Sequence, residues 1–361
     1  MTRHARALLA GTLVLTGCAG VSPSPRSSPE NHLSAQVAQT VASLMVKHRV
    51  PGVAVAYIEQ GRLRAAQGFG FTDHARTNQI EAGATVFEAA SLGKPLFSYA
   101  VVQSAQSKQI DLDAPIADYL GSRVVADPNG HSITAAHLLS HSSGVTFSPT
   151  EGRRWLATSP GSQWQYSGLG FVVLQQAIEH VFGRSLDEFI RQALTKRLEM
   201  HRTTFTWTDN PLAVLAIGHD RQGDAVPRTK WRDASAASSL HTTAIDYARF
   251  MEQMFIDISA GSDGSTVGRV MIRPRIEVDR ALGLSWGLGW ALASENGEVL
   301  FLHWGSNPGY KSLVVGSVSR ASALVVLTNG DNGLELATAL VPLVLGRQYS
   351  FLRFKMLHPD D

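Results

Sequence analysis

Strand-like segments lie near both ends of this 361-residue chain, and their placement constrains the fold more than any other feature. Near the start, residues 53–58 and 63–68 are mainly apolar and flank Glu59-Gln60-Gly61-Arg62, a pattern that predicts a β-hairpin. The last third returns to strands, which we predict at 287–293, 299–303, 312–316 and 323–328. Strands at both ends with helices inserted between them predict one α/β domain that carries an α-helical insertion.

Helical patterns fill the rest of the folded part. Apolar residues at Leu33, Val37, Val41 and Leu44 recur at helical spacing, and this first helix stops before Pro51. Further helices are predicted at 91–106, 134–140, 170–182, 242–255 and 333–345. We therefore expect one domain over 33–350, with an α/β part at 33–90 and 240–350, a helical insertion at about 91–239, and a loose tail at 351–361.

Composition excludes two broad classes of protein. Hydrophobic residues make up 44% of the chain and charged residues 17%, which is typical of a folded enzyme and not of a disordered chain. The 32 basic and 30 acidic residues are scattered and give a net charge of +2. Since no stripe of Lys and Arg with interleaved aromatics occurs, we expect no nucleic-acid partner. The oligomeric state stays open.

The N-terminus predicts export. Arg3, His4 and Arg6 precede a short apolar run at 7–15, which is too short to span a bilayer and is typical of a signal peptide at 1–17. The run ends in Leu15-Thr16-Gly17-Cys18, which resembles a bacterial lipobox and contains the only cysteine. Residues 18–32 are rich in Ser and Pro and would form a flexible tether. We expect a lipid anchor on Cys18, in the outer membrane and facing the periplasm.

The segment Ser91-Leu92-Gly93-Lys94 carries candidate chemistry. Residues three apart lie on one face of a helix, so the Ser91 hydroxyl and the Lys94 amine can meet. A serine is a weak nucleophile until a neighbouring base takes its proton, and a lysine can do so once desolvation lowers its pKa. The motif is short enough to arise by chance, so the surrounding sequence decides whether it indicates a catalytic site.

The context resembles the serine β-lactamase and penicillin-binding superfamily, of the class C type. The shared motifs begin with Phe87-Glu88-Ala89-Ala90-Ser91-Leu92-Gly93-Lys94-Pro95 and continue in the family's order at 112–115, 137–144, 166–171, 239–244, 286–290, 303–310 and 327–330. The resemblance covers nearly everything from 33 to 345. It implies an α+β fold, with a mixed, mainly antiparallel sheet flanked by helices and a helical insertion.

The resemblance also implies roles for individual residues. Ser91 would be the nucleophile, Lys94 its general-base partner and Tyr166 a second proton shuttle. His303-Trp304-Gly305 stands where the family usually has Lys-Thr-Gly, and the N–H groups of Ser91 and Ser306 would form the oxyanion hole. Whether Lys94 or Tyr166 is the acylation base stays open. The implied mechanism uses an acyl-enzyme, no metal and no organic cofactor, and its partner is a small-molecule or peptide substrate.

Two departures from the family pattern limit the choice of substrate. Gly168 replaces the Asn that ends the family's tyrosine motif, and His303 replaces a cationic Lys. A histidine is mostly neutral near pH 7, so binding of a carboxylate should weaken. We expect hydrolysis of an ester or amide, with D-amino-acid peptides and β-lactams among the candidates. Two alternatives stay open: a carboxylesterase with the same site and little β-lactamase activity, and a non-catalytic protein that binds cell-wall peptides.

A rival nucleophile is Ser285, in Gly283-Leu284-Ser285-Trp286-Gly287, which fits the nucleophile elbow of α/β-hydrolases. That elbow needs a helix after the serine, and the following residues predict a strand. Asp331 and His358 could complete its triad in chain order, but we place His358 in the loose tail.

His137 and His141 have the spacing of a helical zinc pair, but no glutamate lies between them, so a structural role is favoured. Among the tryptophans, we place Trp164 and Trp286 in the core and Trp304 in the substrate cleft.

Overall fold

The computed structural model describes residues 33–73, 75–121, 128–148, 153–207, 214–260 and 265–358. The signal peptide, the tether and Cys18 lie outside these residues, so their assignment stays a prediction. Within the described ranges, no helix combines the length and the apolar character that crossing a membrane requires.

Among the described residues, twelve strands form one large sheet and two small ones. They are β1 (Gly52–Glu59), β2 (Arg62–Gly70), β3 (Phe87–Ala90), β4 (Val145–Ser148), β5 (Arg153–Leu156), β6 (Leu240–Thr242), β7 (Ile276–Asp279), β8 (Leu284–Trp286), β9 (Ala291–Glu295), β10 (Glu298–Asn307), β11 (Tyr310–Ser317) and β12 (Ser322–Thr328). The large sheet has the order β2-β1-β12-β11-β10-β9-β8-β7, and its neighbours pair antiparallel throughout. The two ends of the chain meet where β1 pairs with β12, with Val53 opposite Thr328. The predicted α+β fold with a mainly antiparallel sheet is confirmed.

Nine helices have described bounds: α1 (Ala35–His48), α2 (Gly93–Gln106), α3 (Ala117–Leu120), α4 (Ala135–Leu139), α5 (Gly168–Phe182), α6 (Leu186–Ile190), α7 (Ala244–Ser259), α8 (Val267–Met271) and α9 (Gly333–Leu345). Alternation along the strands divides the core in two, because successive side chains point to opposite faces. Val53 and Val55 of β1 pack with residues of α1 and α9 on one face. Ala54 and Ala56 pack with residues of α2 and α7 on the other.

Two expectations about local structure are wrong. The strand predicted at 287–293 begins only at Ala291, because residues 287–290 form a turn in which Gly289 has φ 81°. The tail is not loose where it is described: residues 350–357 form two short 3-10 helices, and Phe351 and Leu357 are fully buried in the core. Apolar residues spaced through the tail give it a surface to bury, which outweighs its position at the end of the chain.

Strand β3 leads the chain past the large sheet before the first helix of the insertion. It pairs with β6 and lies against β10 and β11. The Ser312 hydroxyl of β11 donates to the carbonyl of Ala89 at 3.0 Å. Gly305 of β10 allows this approach, since a Cβ there would lie 2.2 Å from the same carbonyl oxygen. The residue that follows β3 is Ser91, which is therefore held beside β10.

Candidate active site

Ser91 lies in the sharp turn between β3 and α2. Ala90 at the end of the strand has φ 52°, in the left-handed region that non-glycine residues seldom adopt. The helix predicted from residue 91 begins at Gly93, and the Lys94 N–H donates to the Ser91 carbonyl at 3.0 Å. A Cβ on Gly93 would lie 2.6 Å from the Phe205 ring, so the close packing of this turn needs glycine. Strained backbone of this kind is common at functional sites.

The structure brings the Ser91 hydroxyl and the Lys94 amine into contact. Lys94 Nζ donates to Ser91 Oγ at 2.8 Å and to the Ala237 carbonyl at 2.5 Å. Ser91 Oγ is 3.1 Å from the same carbonyl and can donate to it. When Lys94 is neutral, its lone pair can instead accept the Ser91 proton across the same 2.8 Å contact.

Lys94 is fully buried, and its two hydrogen-bond partners are uncharged. Burial disfavours the ammonium form and lowers the pKa of Lys94 from 10.5 to about 7. A substantial fraction of the amine is therefore unprotonated at neutral pH, which is the state that a general base requires.

Tyr166 lies just before α5, beside Lys94. Its ring centroid is 4.9 Å from Lys94 Nζ, and the ring stacks on Trp304 at 5.8 Å. The phenol oxygen is buried and lies near the Ser91 hydroxyl, but among the described residues it makes no hydrogen bond of good geometry. Burial raises the pKa of Tyr166, and nearby Ser91 opposes that shift only in part. The resting phenol is therefore protonated.

His141 fixes the backbone on both sides of Tyr166, a contact that the sequence analysis did not foresee. Its carbonyl accepts from the Gln165 N–H at 2.7 Å, and its Nδ1 accepts from the Ser167 N–H at 3.1 Å. The His141 and Tyr166 rings are 4.3 Å apart. Since Nδ1 accepts, the proton of the neutral ring is on Nε2.

His137 does not join His141 at a metal site. His137 closes a capping box at the start of α4, where its Nδ1 accepts from the Thr134 N–H at 3.3 Å. No group of three metal-ligating side chains occurs within the described ranges. The structural role favoured for both histidines agrees with these contacts.

The strand triad lies along β10. His303 is fully buried, and its Nδ1 donates to the Trp304 carbonyl at 2.8 Å, which leaves Nε2 as an acceptor. Burial, with a smaller contribution from the charge of Lys94, lowers the pKa of His303 to about 3. The His303 ring is therefore neutral near pH 7. Trp304 is itself 4% exposed, so it forms the wall behind Tyr166 and does not line an open cleft. Ser306 is exposed near the end of the strand.

The Ala237 carbonyl is the second site group that the sequence did not reveal. It lies in the segment 234–239, which α5 holds through Gln175. The side chain of Gln175 accepts from the Ala236 N–H at 2.8 Å and donates to the Ala234 carbonyl at 2.9 Å. A backbone carbonyl has no sequence signature, and the polar Gln175 within the apolar face of a helix was the available signal.

The rival triad is not assembled. Ser285 lies on β8, and the turn that follows leads into β9, not into a helix. Asp331 accepts from Lys311 Nζ at 2.5 Å and from the Gly309 N–H at 2.8 Å. The His358 ring contacts the Leu352 carbonyl at 2.6 Å. Asp331 and His358 thus make hydrogen bonds to other groups and not to each other or to Ser285.

Comparisons with known proteins agree with this geometry. Penicillin-binding protein 4 of Amycolatopsis lactamdurans is 27% identical over 340 residues, which cover 84% of this chain and 87% of that protein. The D-alanyl-D-alanine-carboxypeptidase/endopeptidase AmpH of Escherichia coli (strain K12) is 25% identical over 269 residues, or 66% of this chain and 68% of that protein. The chain spans 64% of the length of protein flp of Staphylococcus aureus (strain MW2), with 22% identity.

Among solved structures, D-alanine carboxypeptidase AmpC from Burkholderia cenocepacia has the same fold, with a TM-score of 0.73 and 18% identity. The match covers 86% of this chain and 99% of that one. A family model described as Beta-lactamase matches residues 37–346, from α1 to the end of α9. The resemblance predicted from the motifs is thereby confirmed, and the chain belongs to the beta-lactamase family.

Proposed function

We propose that this protein is a serine hydrolase that forms an acyl-enzyme at Ser91. The observation that carries the proposal is the 2.8 Å contact between Ser91 Oγ and the fully buried Lys94 amine, whose pKa is lowered to about 7. A nucleophile in contact with a base that is unprotonated near neutral pH meets the requirement for activating a serine.

In the proposed reaction, neutral Lys94 takes the Ser91 proton while Oγ attacks the substrate carbonyl carbon. The N–H groups of Ser91 and Ser306 stabilise the oxyanion. Collapse breaks the bond to the leaving group, which receives the proton from Lys94 directly or through Tyr166. Water then attacks the ester at Ser91, releases the acid and restores the hydroxyl.

The geometry favours Lys94 as the acylation base. Lys94 Nζ is 2.8 Å from Ser91 Oγ and has a pKa lowered to about 7, whereas the Tyr166 phenol, which also lies near Ser91, has a raised pKa and would have to lose a proton that burial retains. Tyr166 is better suited to pass a proton to the leaving group, since it lies against Lys94 and starts protonated.

A carboxylesterase is the second candidate, and the neutral state of His303 favours it. A buried histidine with a pKa of about 3 supplies no fixed charge to a substrate carboxylate. Gly168 likewise supplies no carboxamide, although a side chain would fit there, because its Cβ would be 3.6 Å from that of Ala237. D-Alanyl peptides and β-lactams both carry a carboxylate, and D-alanine carboxypeptidase is in the names of one relative and one structural neighbour. An uncharged ester should therefore be the better substrate.

The test is hydrolysis of p-nitrophenyl butyrate by the full-length chain, with a chromogenic β-lactam as a second substrate. We expect Ser91→Ala to lower kcat by a factor on the order of 10⁴ or more, because the covalent step is lost. Ser285→Ala is the matched control and should keep wild-type rates. Loss of activity in Ser285→Ala alone would overturn the assignment, and absence of turnover on both substrates would favour the peptide-binding alternative.

A further inference from the structure

Glu88 is a buried carboxyl group that the proposed reaction does not use. It lies on β3, three residues before Ser91, and is 3% exposed. Its Oε1 accepts hydrogen bonds from Trp231 Nε1 at 2.9 Å and from Asn307 Nδ2. Burial raises the pKa of Glu88, against the effect of these two bonds. Burying a carboxyl group costs free energy, so its presence here calls for a reason.

Asn307 connects the Glu88 carboxyl group to the segment 234–239. Its Nδ2 also donates to the Ser238 carbonyl at 3.0 Å, so its two hydrogens serve two different segments. Asn307 directly follows Ser306, the proposed oxyanion donor on β10. Ser238 directly follows Ala237, whose carbonyl contacts both Lys94 and Ser91.

These contacts therefore join three backbone segments, each of which supplies one part of the reaction. Strand β3 leads to the nucleophile, the end of β10 carries the oxyanion donor, and the segment 234–239 holds the base. The three come from distant parts of the chain, since Glu88 and Asn307 are 219 residues apart. Backbone hydrogen bonds of one strand pair could not fix all three.

We propose that Glu88 and Asn307 are positioning residues that form an acyl-transfer clamp, defined by the side chains of Glu88 and Asn307 and the Ser238 carbonyl. The clamp sets the distance between Ser91 Oγ, the Ser306 N–H and the Ala237 carbonyl. The inference rests on the proposed function, because acyl transfer at Ser91 requires these groups to be held at fixed distances from one another. A displacement of about 1 Å at such a site costs a factor on the order of 10² in rate.

The kinetic test uses Glu88→Ala, Asn307→Ala and the double variant in the full-length chain, with p-nitrophenyl butyrate as substrate. Each single variant should lower kcat about 100-fold while KM changes by less than about threefold, since the clamp acts on geometry and not on ground-state binding. The double variant should lose no more than the worse single variant, because both remove one clamp. Glu88→Gln keeps the acceptor oxygen and should recover most of the rate.

Glu252→Ala is the matched control. Glu252 is also buried and accepts one backbone hydrogen bond, from Leu63 at 2.9 Å, but it lies on α7 and touches no part of the clamp. It should lose stability without losing kcat. Additive losses in the double variant, unchanged kcat in the single variants, or an equal loss of kcat in Glu252→Ala would overturn the proposal.

A second measurement does not depend on turnover. Amide hydrogen exchange, followed by mass spectrometry, should quicken in peptides covering 234–239 and 303–309 in Glu88→Ala, and in neither peptide in Glu252→Ala. Unchanged exchange in Glu88→Ala would overturn the clamp even in an active enzyme. Faster exchange in a chain whose wild type hydrolyses nothing would keep the clamp and reject the hydrolase.

Discussion

The two sides of Ser91 differ in how completely their polar atoms are paired. On the Lys94 side, the amine, the Ser91 hydroxyl and the Ala237 carbonyl are all within 3.1 Å of one another. On the Tyr166 side, the polar atoms lie among stacked aromatic rings. Within the described ranges, the buried atoms on this side that make no hydrogen bond of good geometry include Tyr166 Oη, His141 Nε2, Trp164 Nε1, Trp286 Nε1 and His303 Nε2.

In the proposed reaction, this difference separates the groups that are paired before substrate arrives from the groups that would gain partners later. On the Lys94 side, the proposed proton transfer from Ser91 would need no rearrangement, which would lower the free-energy cost of that step. An unpaired buried polar group costs about 1–3 kcal/mol, and such groups are typical of functional sites. The polar atoms among the aromatic rings could therefore form hydrogen bonds when charge develops in the proposed reaction. The hydrogen bond between Ser91 and Lys94 is already formed before substrate binds.

Of the variants that compare the two sides of Ser91, the one that removes the Lys94 amine should have the largest effect. Lys94→Met should lower kcat/KM for p-nitrophenyl butyrate by a factor on the order of 10³–10⁴, the upper range for loss of a general base. Retention of more than a tenth of the activity would show that Lys94 is not the base.

Thermal unfolding at pH 8 supplies the control for Lys94→Met. The pKa of Lys94 is about 7 in the folded chain and 10.5 in the unfolded reference state. Between these values the unfolded chain binds more protons, so the buried lysine costs stability that grows as pH falls from 10.5 towards 7. Lys94→Met removes that cost and should unfold at a higher temperature than wild type, which separates lost chemistry from misfolding.

A smaller effect is expected from the aromatic side. Tyr166→Phe removes the unpaired phenol oxygen but keeps the ring that stacks on Trp304, so the wall should stay in place. The rate should fall about 10–100-fold, since proton transfer to the leaving group would proceed through Lys94 alone. Steady-state kcat for esters with good and poor leaving groups measures this. An equal loss for both would contradict a role in leaving-group protonation.

The sequence predicted the parts of this molecule that depend on local pattern. The helix predicted at 333–345 has those bounds in the structure, and the hairpin and last strands lie where short apolar segments predicted them. The meeting of Ser91 and Lys94 was also predicted from local spacing, although Ser91 lies in the turn before α2 and is held one turn from Lys94 by the bond from the Lys94 N–H to its carbonyl.

The parts that could not be predicted depend on contacts between distant residues. Lys94 and Ala237 are 143 residues apart, and the group that binds Lys94 is a carbonyl that every residue type possesses. The bonds from His141 to both neighbours of Tyr166 likewise need the folded backbone. The sequence predicted a strand at 287–290 because the residues around Gly289 are apolar. The left-handed backbone of Gly289, which forms the turn, has no separate sequence signal.

The most direct test of the central claim is the pH dependence of kcat/KM for p-nitrophenyl butyrate, which does not titrate itself between pH 5 and 9. If neutral Lys94 activates Ser91, the rate falls tenfold per pH unit below a pKa of about 7, and Tyr166→Phe keeps that acid limb. A rate that is flat down to pH 5, or an acid limb that disappears in Tyr166→Phe, would contradict Lys94 as the base.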